Sequence, residues 1–238
     1  MAPLKNKLLD ALSSEVQERI FPHLKLLSLP LGTVIYEASE KIDYVYFPID
    51  CIVSLLYVMV DGSSAEISVI GNEGVVGIAV FMGGESTPSR AIVQSAGSAY
   101  RMSASELRKE FNSESSIRML LLRYTQSLIA QMAQTAVCNR HHSIDQQLCR
   151  WLLLSLDRLS TNEITMTQEL IANMLGVRRE GVTEAAGKLQ KLGIINYKRG
   201  HIQVLDRLGL EAQSCECYKV VKNEADRLDT YLKDALDV

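Results

Sequence analysis

The chain has 238 residues, enough for two domains with their own cores. Apolar residues make up 47% and charged residues 22%, which excludes a disordered chain, and no apolar run reaches the roughly 18–20 residues that a bilayer-spanning helix needs. A formal net charge of −3 means that any surface for a polyanion must be local. The N-terminus lacks the charged-then-apolar plan of a secretory leader. Five scattered cysteines, an odd number, argue against a disulfide scaffold and for a reducing cytoplasm.

Residues 1–27 read as a helical lead-in. Leu8, Leu9, Leu12, Val16 and Ile20 keep an approximate helical period, Ser13 or Ser14 can cap a turn, and Pro22 ends the run. From residue 29 to 102 the pattern changes to short β runs at 33–36, 44–47, 51–59, 65–70, 75–81, 91–94 and 98–102. Turn dipeptides such as Asp61-Gly62, Gly71-Asn72 and Gly83-Gly84 separate them. Strands at such even spacing, with no helix between them, predict an antiparallel sandwich or barrel.

Ser103-Ala-Ser-Glu106 fits a capping box and opens a helix. A long helical segment follows from about 112 to 141, with Ile117, Leu121, Tyr124, Leu128, Met132 and Thr135 at three- and four-residue steps. That stripe can be buried against the first domain, against a second copy, or both; its placement between two compact domains suggests a dimerisation helix with Ile117, Leu121, Tyr124, Leu128 and Met132 at the interface. Residues 140–143 break the pattern as a hinge. Ser143-Ile-Asp-Gln146 is a second capping box, opening a helix with Ile144, Leu148, Trp151 and Leu152 on one face.

The stretch 168–187, QELIANMLGVRREGVTEAAG, reads as two short helices around a tight turn. Thr165 or Thr167 caps the first. Ala172 is small where the helices cross, Gly176 sits where the first must stop, and Val182 joins Ile171 and Leu175 in a seam. The second helix exposes Arg178, Arg179, Glu180, Thr183 and Glu184 near its N-terminal end, the layout of a helix-turn-helix that reads base edges in the major groove. Residues 194–197 and 201–205 then form a hairpin around Lys198-Arg199-Gly200, a basic-tipped wing. Between 176 and 201, six Lys and Arg residues face only Glu180 and Glu184, a basic window in an acidic chain. Thr167, Gln168, Lys188, Lys198 and Arg199 are expected on phosphates, which position without specifying. The remainder, from Asp206, is a helical tail.

The expected fold class is α+β in two domains: residues 1–111 a β-rich domain with its helical lead-in, 112–142 a connecting helix and hinge, and 143–238 a winged helix-turn-helix with a tail. That order, with Leu175-Gly-Val-Arg-Arg-Glu-Gly-Val182 and Leu192-Gly-Ile-Ile-Asn-Tyr-Lys-Arg-Gly200, resembles the Crp–Fnr family of bacterial transcription regulators. The resemblance implies a cyclic-nucleotide-binding-like antiparallel β-roll, a homodimer on a pseudo-palindromic double-stranded DNA operator, RNA polymerase as a further partner, and no membrane. It also implies that Arg179 and Glu180 match an Arg-Glu pair that contacts bases, while Glu184 stands where cyclic-AMP-responsive members carry a second Arg. The ribose- and phosphate-binding turns of ligand-binding members correspond to Gly71-Asn72-Glu73-Gly74 and to Pro88-Ser89-Arg90-Ala91, with Tyr124 of the long helix behind them. The acid is shifted by one position and the Ser89-Arg90 order is inverted, so a cyclic nucleotide is an allowed effector rather than an implied one.

Other chemistry is set aside. His141 and His142 point about 100° apart on a helix, which reads as a solvated hinge and not a metal site. Cys215-x-Cys217, a feature resembling a subgroup signature, is too tightly spaced for a usual zinc half-site; two packing thiols, or a redox pair, are the readings left. The cysteine-bound iron–sulfur cluster of some family members needs an N-terminal cysteine group, and here no cysteine precedes Cys51. No phosphate loop or nucleophile motif points to an enzyme. The competing functional class is a small-molecule or redox sensor acting mainly through a protein partner.

Overall fold

The computed structural model describes residues 5–113 and 115–236; the outermost residues of the predicted lead-in and tail lie outside these. Asn6 starts helix α1 (Lys7–Asp10), its side-chain oxygen accepting from Leu9 N at 3.3 Å while its amide donates to Pro48 O and Gly74 O. Helix α2 (Ser14–Ile20) is capped by Ser13 and closed by the Pro22 turn, as expected. The lead-in ends there. Residues Lys25–Leu29 form strand β1 instead of more helix, because they pair with a later strand at the sheet edge.

Two antiparallel sheets follow. Strands β2 (Val34–Tyr36), β3 (Tyr44–Pro48), β4 (Ile52–Val58), β5 (Ser64–Ile70), β6 (Arg90–Ser95) and β7 (Gly97–Ser103) arrange with β1 as β1-β7-β3 and β2-β6-β4-β5. Their inward faces share one core: Val45, Phe47 and Met102 from the first sheet meet Val53, Leu55, Ile70 and Ala91 from the second. The predicted strand at 75–81 is not one. Gly77 adopts φ +103°, which breaks the extended chain. Only Val76 bridges to Tyr46, and Ile78–Val80 coil into a 3-10 turn that still buries Val75, Val76, Val80 and Phe81.

Helix α3 (Ala104–Ser113) starts with Ser103 accepting from Glu106 N. Helix α4 (Ser115–His141) is the long connector. Its predicted dimer stripe lies inside its own chain: Ile117, Leu121, Tyr124 and Leu128 are buried in the β-domain core, and Met132 is half-buried against it. The large apolar side chains left exposed on α4 are Met119, Leu122, Ile129 and Val137, a different face. The assignment of the first stripe to a partner is therefore corrected. Both stripes are apolar, and periodicity does not say which one the sheet takes.

Helix α5 (Ile144–Leu156) carries both halves of the Ser143/Gln146 capping box. It is buried all round from Gln147 to Leu156, not on one face, because the β-domain covers one side and the C-terminal helices the other. Ile52, Leu56 and Val69 of the four-stranded sheet share a core with Leu148, Trp151 and Leu152; each fully buried leucine contributes about 1.5–3 kcal/mol. Polar groups cross the same seam: Gln94 Nε2 donates to Ser155 Oγ at 3.0 Å, and Arg158 pairs with Glu73 at 2.7 Å with both side chains largely buried.

Beyond α5 lie β8 (Glu163–Thr165), α6 (Gln168–Leu175), α7 (Arg179–Lys191), β9 (Ile195–Lys198), β10 (His201–Val204), α8 (Arg207–Gln213) and α9 (Glu216–Leu236). The wing gains a third strand that its sequence did not announce, β8, in the order β8-β10-β9. The tail divides at Ser214 into α8 and α9. Helix α9 returns along α4, placing Leu228 and Leu232 in the first domain's core, with Arg123 over the Tyr231 ring at 3.6 Å.

Candidate nucleic-acid interface

Thr167 caps α6 by accepting from Leu170 N at 3.2 Å. Gly176 ends that helix at φ +65°, with Val177 N closing onto Ala172 O. A Cβ there would sit 3.1 Å from Ala65 Cβ, so glycine is favoured both by conformation and by the close approach of strand β5. The seam is the expected one, Ile171, Ala172, Leu175 and Val182 all being buried. Arg178 occupies the N-cap of α7 without a capping side-chain bond, and Arg178, Arg179, Glu180, Thr183 and Glu184 all face solvent.

Several of these groups are already engaged. Thr183 Oγ1 lies 2.7 Å from Gln168 Oε1 and 3.0 Å from Arg179 O, acceptors that share its single hydroxyl proton. Lys188 sits 3.0 Å from Asp145 and 3.1 Å from Glu184; hydrogen bonds to these two carboxylates raise its pKa. The wing turns through Arg199 at φ +52° and Gly200 at φ +82°, the paired positive angles of a tight hairpin. One concave patch joins Thr167, Gln168, Arg179 and Arg199 with Glu169, Tyr197 and Gly200. Tyr197 was not singled out in the sequence. It ties the wing to the connection between β8 and α6 by donating from its hydroxyl to Met166 O at 2.8 Å, and burial pushes that hydroxyl up to about 12. Lys198 is exposed beside the patch. The geometry offers cations and hydrogen-bond donors to a phosphate backbone, with α7 free to present base-reading side chains.

Four of the six predicted effector residues, Gly71, Glu73, Gly74 and Tyr124, lie against one another. Gly74 packs on Tyr124 so closely that a Cβ would come within 2.5 Å of the ring, and Gly71 N donates to Glu73 Oε1. Glu73 itself is held by Arg158 of the C-terminal half, while Arg90 pairs with Glu37 at 3.2 Å. Of the six, only Ser89 lines the β-domain's own cavity, a space of about 350 Å³ between the four-stranded sheet, the 77–89 segment and α4, walled by Tyr36, Leu55, Ile67, Leu128 and Met132. Cys215 and Cys217 come together with Cys138 and His142. Cys138 Sγ lies 3.5 Å from Cys215 Sγ, and the hydrogen bond between them pushes Cys138 up while holding Cys215 below the usual thiol range. His142 is not solvated: its side chain is 15% exposed, and Nδ1 lies 3.4 Å from Cys217 Sγ.

Two family models match the chain. Residues 26–114 match the cyclic nucleotide-binding domain and residues 146–213 match the Crp-like helix-turn-helix domain. The chain belongs to the Crp/Fnr family of DNA-binding transcription regulators. Its fold recurs in solved structures. FixK2 from Bradyrhizobium japonicum is 19% identical with a TM-score of 0.67, over 81% of this chain and 98% of that one. A candidate Crp/Fnr regulator from Eubacterium rectale is 17% identical with a TM-score of 0.69, over 87% and 96%. The Crp/Fnr regulator TTHA1359 from Thermus thermophilus is 19% identical with a TM-score of 0.65, over 80% and 98%. No curated protein sequence matches this Crp/Fnr chain. Among the described residues no helix is long and apolar enough to cross a membrane.

Proposed function

We propose that this Crp/Fnr regulator binds a pseudo-palindromic operator as a cytoplasmic homodimer and acts by binding alone, without catalysis. The observation that carries the reading is the single patch formed by the N-terminal half of α7 and the wing tip, where Arg179 and Arg199 line one concavity. Arg179 is the principal base reader, suited to a guanine edge, and Arg178 contacts a base or the adjoining phosphate. Glu180 accepts from a cytosine amine. Thr167, Gln168, Lys198 and Arg199 position the backbone, whereas Lys188 must first leave Asp145 and Glu184. The dimer forms through the exposed stripe Met119, Leu122, Ile129 and Val137 of α4, whose spacing approximates a coiled-coil seam. Two copies so paired set their recognition helices about 34–36 Å apart, one turn of DNA, in a position to meet RNA polymerase. An effector, where one acts, enters the largely apolar cavity beside Tyr36 and Ser89, whose hydroxyls are among its few polar handles.

The test is a pair of substitutions. Arg179→Ala should weaken operator binding by about 1–3 kcal/mol and relax one base pair per half-site. Lys198→Ala should weaken all sequences alike and reduce the salt slope by about one ion. Unchanged operator affinity in Arg179→Ala would remove the recognition-helix assignment.

A further inference from the structure

We propose that Cys138, His142, Cys215 and Cys217 form a Cys3His site for one zinc ion, fastening the end of α4 to the start of α9. The five cysteines divide by environment. Cys51 packs with Leu29, Val93 and Ala99, and Cys149 lies in the C-terminal core, each as a small hydrophobe. Cys138, Cys215 and Cys217 instead form a buried cluster of their own, apart from the apolar cores.

The donor geometry suits a single ion. All four ligand atoms lie within 4.8 Å of one another, with Cys138 Sγ to Cys215 Sγ at 3.5 Å and Cys217 Sγ to His142 Nδ1 at 3.4 Å. Tetrahedral zinc, with bonds of about 2.3 Å to sulfur and 2.0–2.1 Å to nitrogen, holds its donors about 3.5–3.8 Å apart. An iron–sulfur cluster distributes its thiolates over separate irons and needs a wider cage. The short Cys215-x-Cys217 spacing, an obstacle when read alone, is completed by a helical pair. His142 N bonds to Cys138 O at 3.0 Å, so Cys138 and His142 stand one turn apart on the same face.

Outer partners are in place as well. Glu216 Oε2 lies 3.4 Å from His142 Nε2, which leaves Nδ1 to face the ion, and Gln134 Nε2 donates to Cys217 Sγ at 3.0 Å. On binding, the three thiols each exchange a proton for a bond to zinc and the protons leave to solvent, with no change of oxidation state. The resulting site carries one negative charge, offset by the buried guanidinium of Arg150, whose field reaches Cys138. Because α9 runs back into the first domain at Leu228 and Leu232, the ion ties the hinge between α4 and α5 into a closed frame.

The experiment is elemental analysis of full-length protein purified under reducing conditions, with cobalt substitution as a second readout. We expect about one zinc per chain, retained by Cys51→Ala and Cys149→Ala and lost by Cys138→Ser and Cys217→Ser. Cobalt added to the metal-free chain should give the intense visible and near-ultraviolet bands of a tetrahedral thiolate site. The wild-type measurement stands even where a variant fails to fold. A reduced, folded chain with neither zinc nor that cobalt spectrum would overturn the proposal, as would equal zinc loss on changing Cys51.

Discussion

Glu66 of strand β5 is buried where the β-domain meets α5, and its Oε2 has no hydrogen-bond partner among the described residues. Burial pushes its carboxyl from 4.5 up to about 7; the hydroxyl of Ser54, the guanidinium groups of Arg150 and Arg158 and the indole of Trp151 oppose that shift and do not overcome it. A raised carboxyl pKa makes the folded protein hold a proton that the unfolded chain has already released. The associated stability is fully present below pH ~4.5 and is lost as pH rises to ~7, at about 1.4 kcal/mol per unit, or about 3 kcal/mol in all. Glu66→Gln is neutral throughout and escapes this loss. Urea unfolding of both proteins at pH 5, 6, 7 and 8 should therefore show the glutamine variant gaining steadily, with most of the gain in place by pH 8. A stability difference that does not vary with pH would mean that the folded state already holds Glu66 ionised beside the two arginines, and the reasoning would fail.

Other outcomes follow from the same packing. Ile129→Glu, on the exposed face of α4, should shift the protein to monomer in sedimentation, whereas Leu128→Ala should keep the dimer but cost about 2–5 kcal/mol of stability; a dimeric Ile129→Glu protein would place the interface elsewhere. Gly74→Ala drives a methyl group into the Tyr124 ring and should lower stability by about 1–3 kcal/mol in thermal unfolding; an unchanged midpoint would contradict the close contact. Breaking the buried ion pair with Arg158→Ala strands Glu73 and should cost about 3–5 kcal/mol, largely recovered by adding Glu73→Gln.

The helix-turn-helix was legible because its chemistry is local: Thr167 caps, Gly176 turns with positive φ, and Val182 closes the seam, all within a short span. The strands from β2 to β7 were legible as short apolar runs between turn residues, except where Gly77 interrupts a run of buried valines that looks extended; β1 and β8 were missed because only pairing with distant strands makes them extended. What could not be read locally is partnership across the chain. Cys138 and Cys215 are 77 positions apart, so the pair Cys215-x-Cys217 looked incomplete without the helix end that faces it. Glu73 matched a ligand-binding turn by motif, yet the fold delivers Arg158 from 85 positions away to take its charge. Helix α4 presents two apolar faces. Only the position of the sheet decides that Leu128 is core and Ile129 surface.

The central claim is that α7 and the wing read a specific DNA sequence. Its most direct test is selection of genomic DNA fragments by the purified, reduced full-length protein at two salt concentrations, beside Arg179→Ala. We expect enrichment of one pseudo-palindrome with half-sites one helical turn apart, retention that falls steeply with salt, and a relaxed base preference in the variant. Retention insensitive to salt, with no sequence enriched, would contradict the account and favour a protein partner for the same surface.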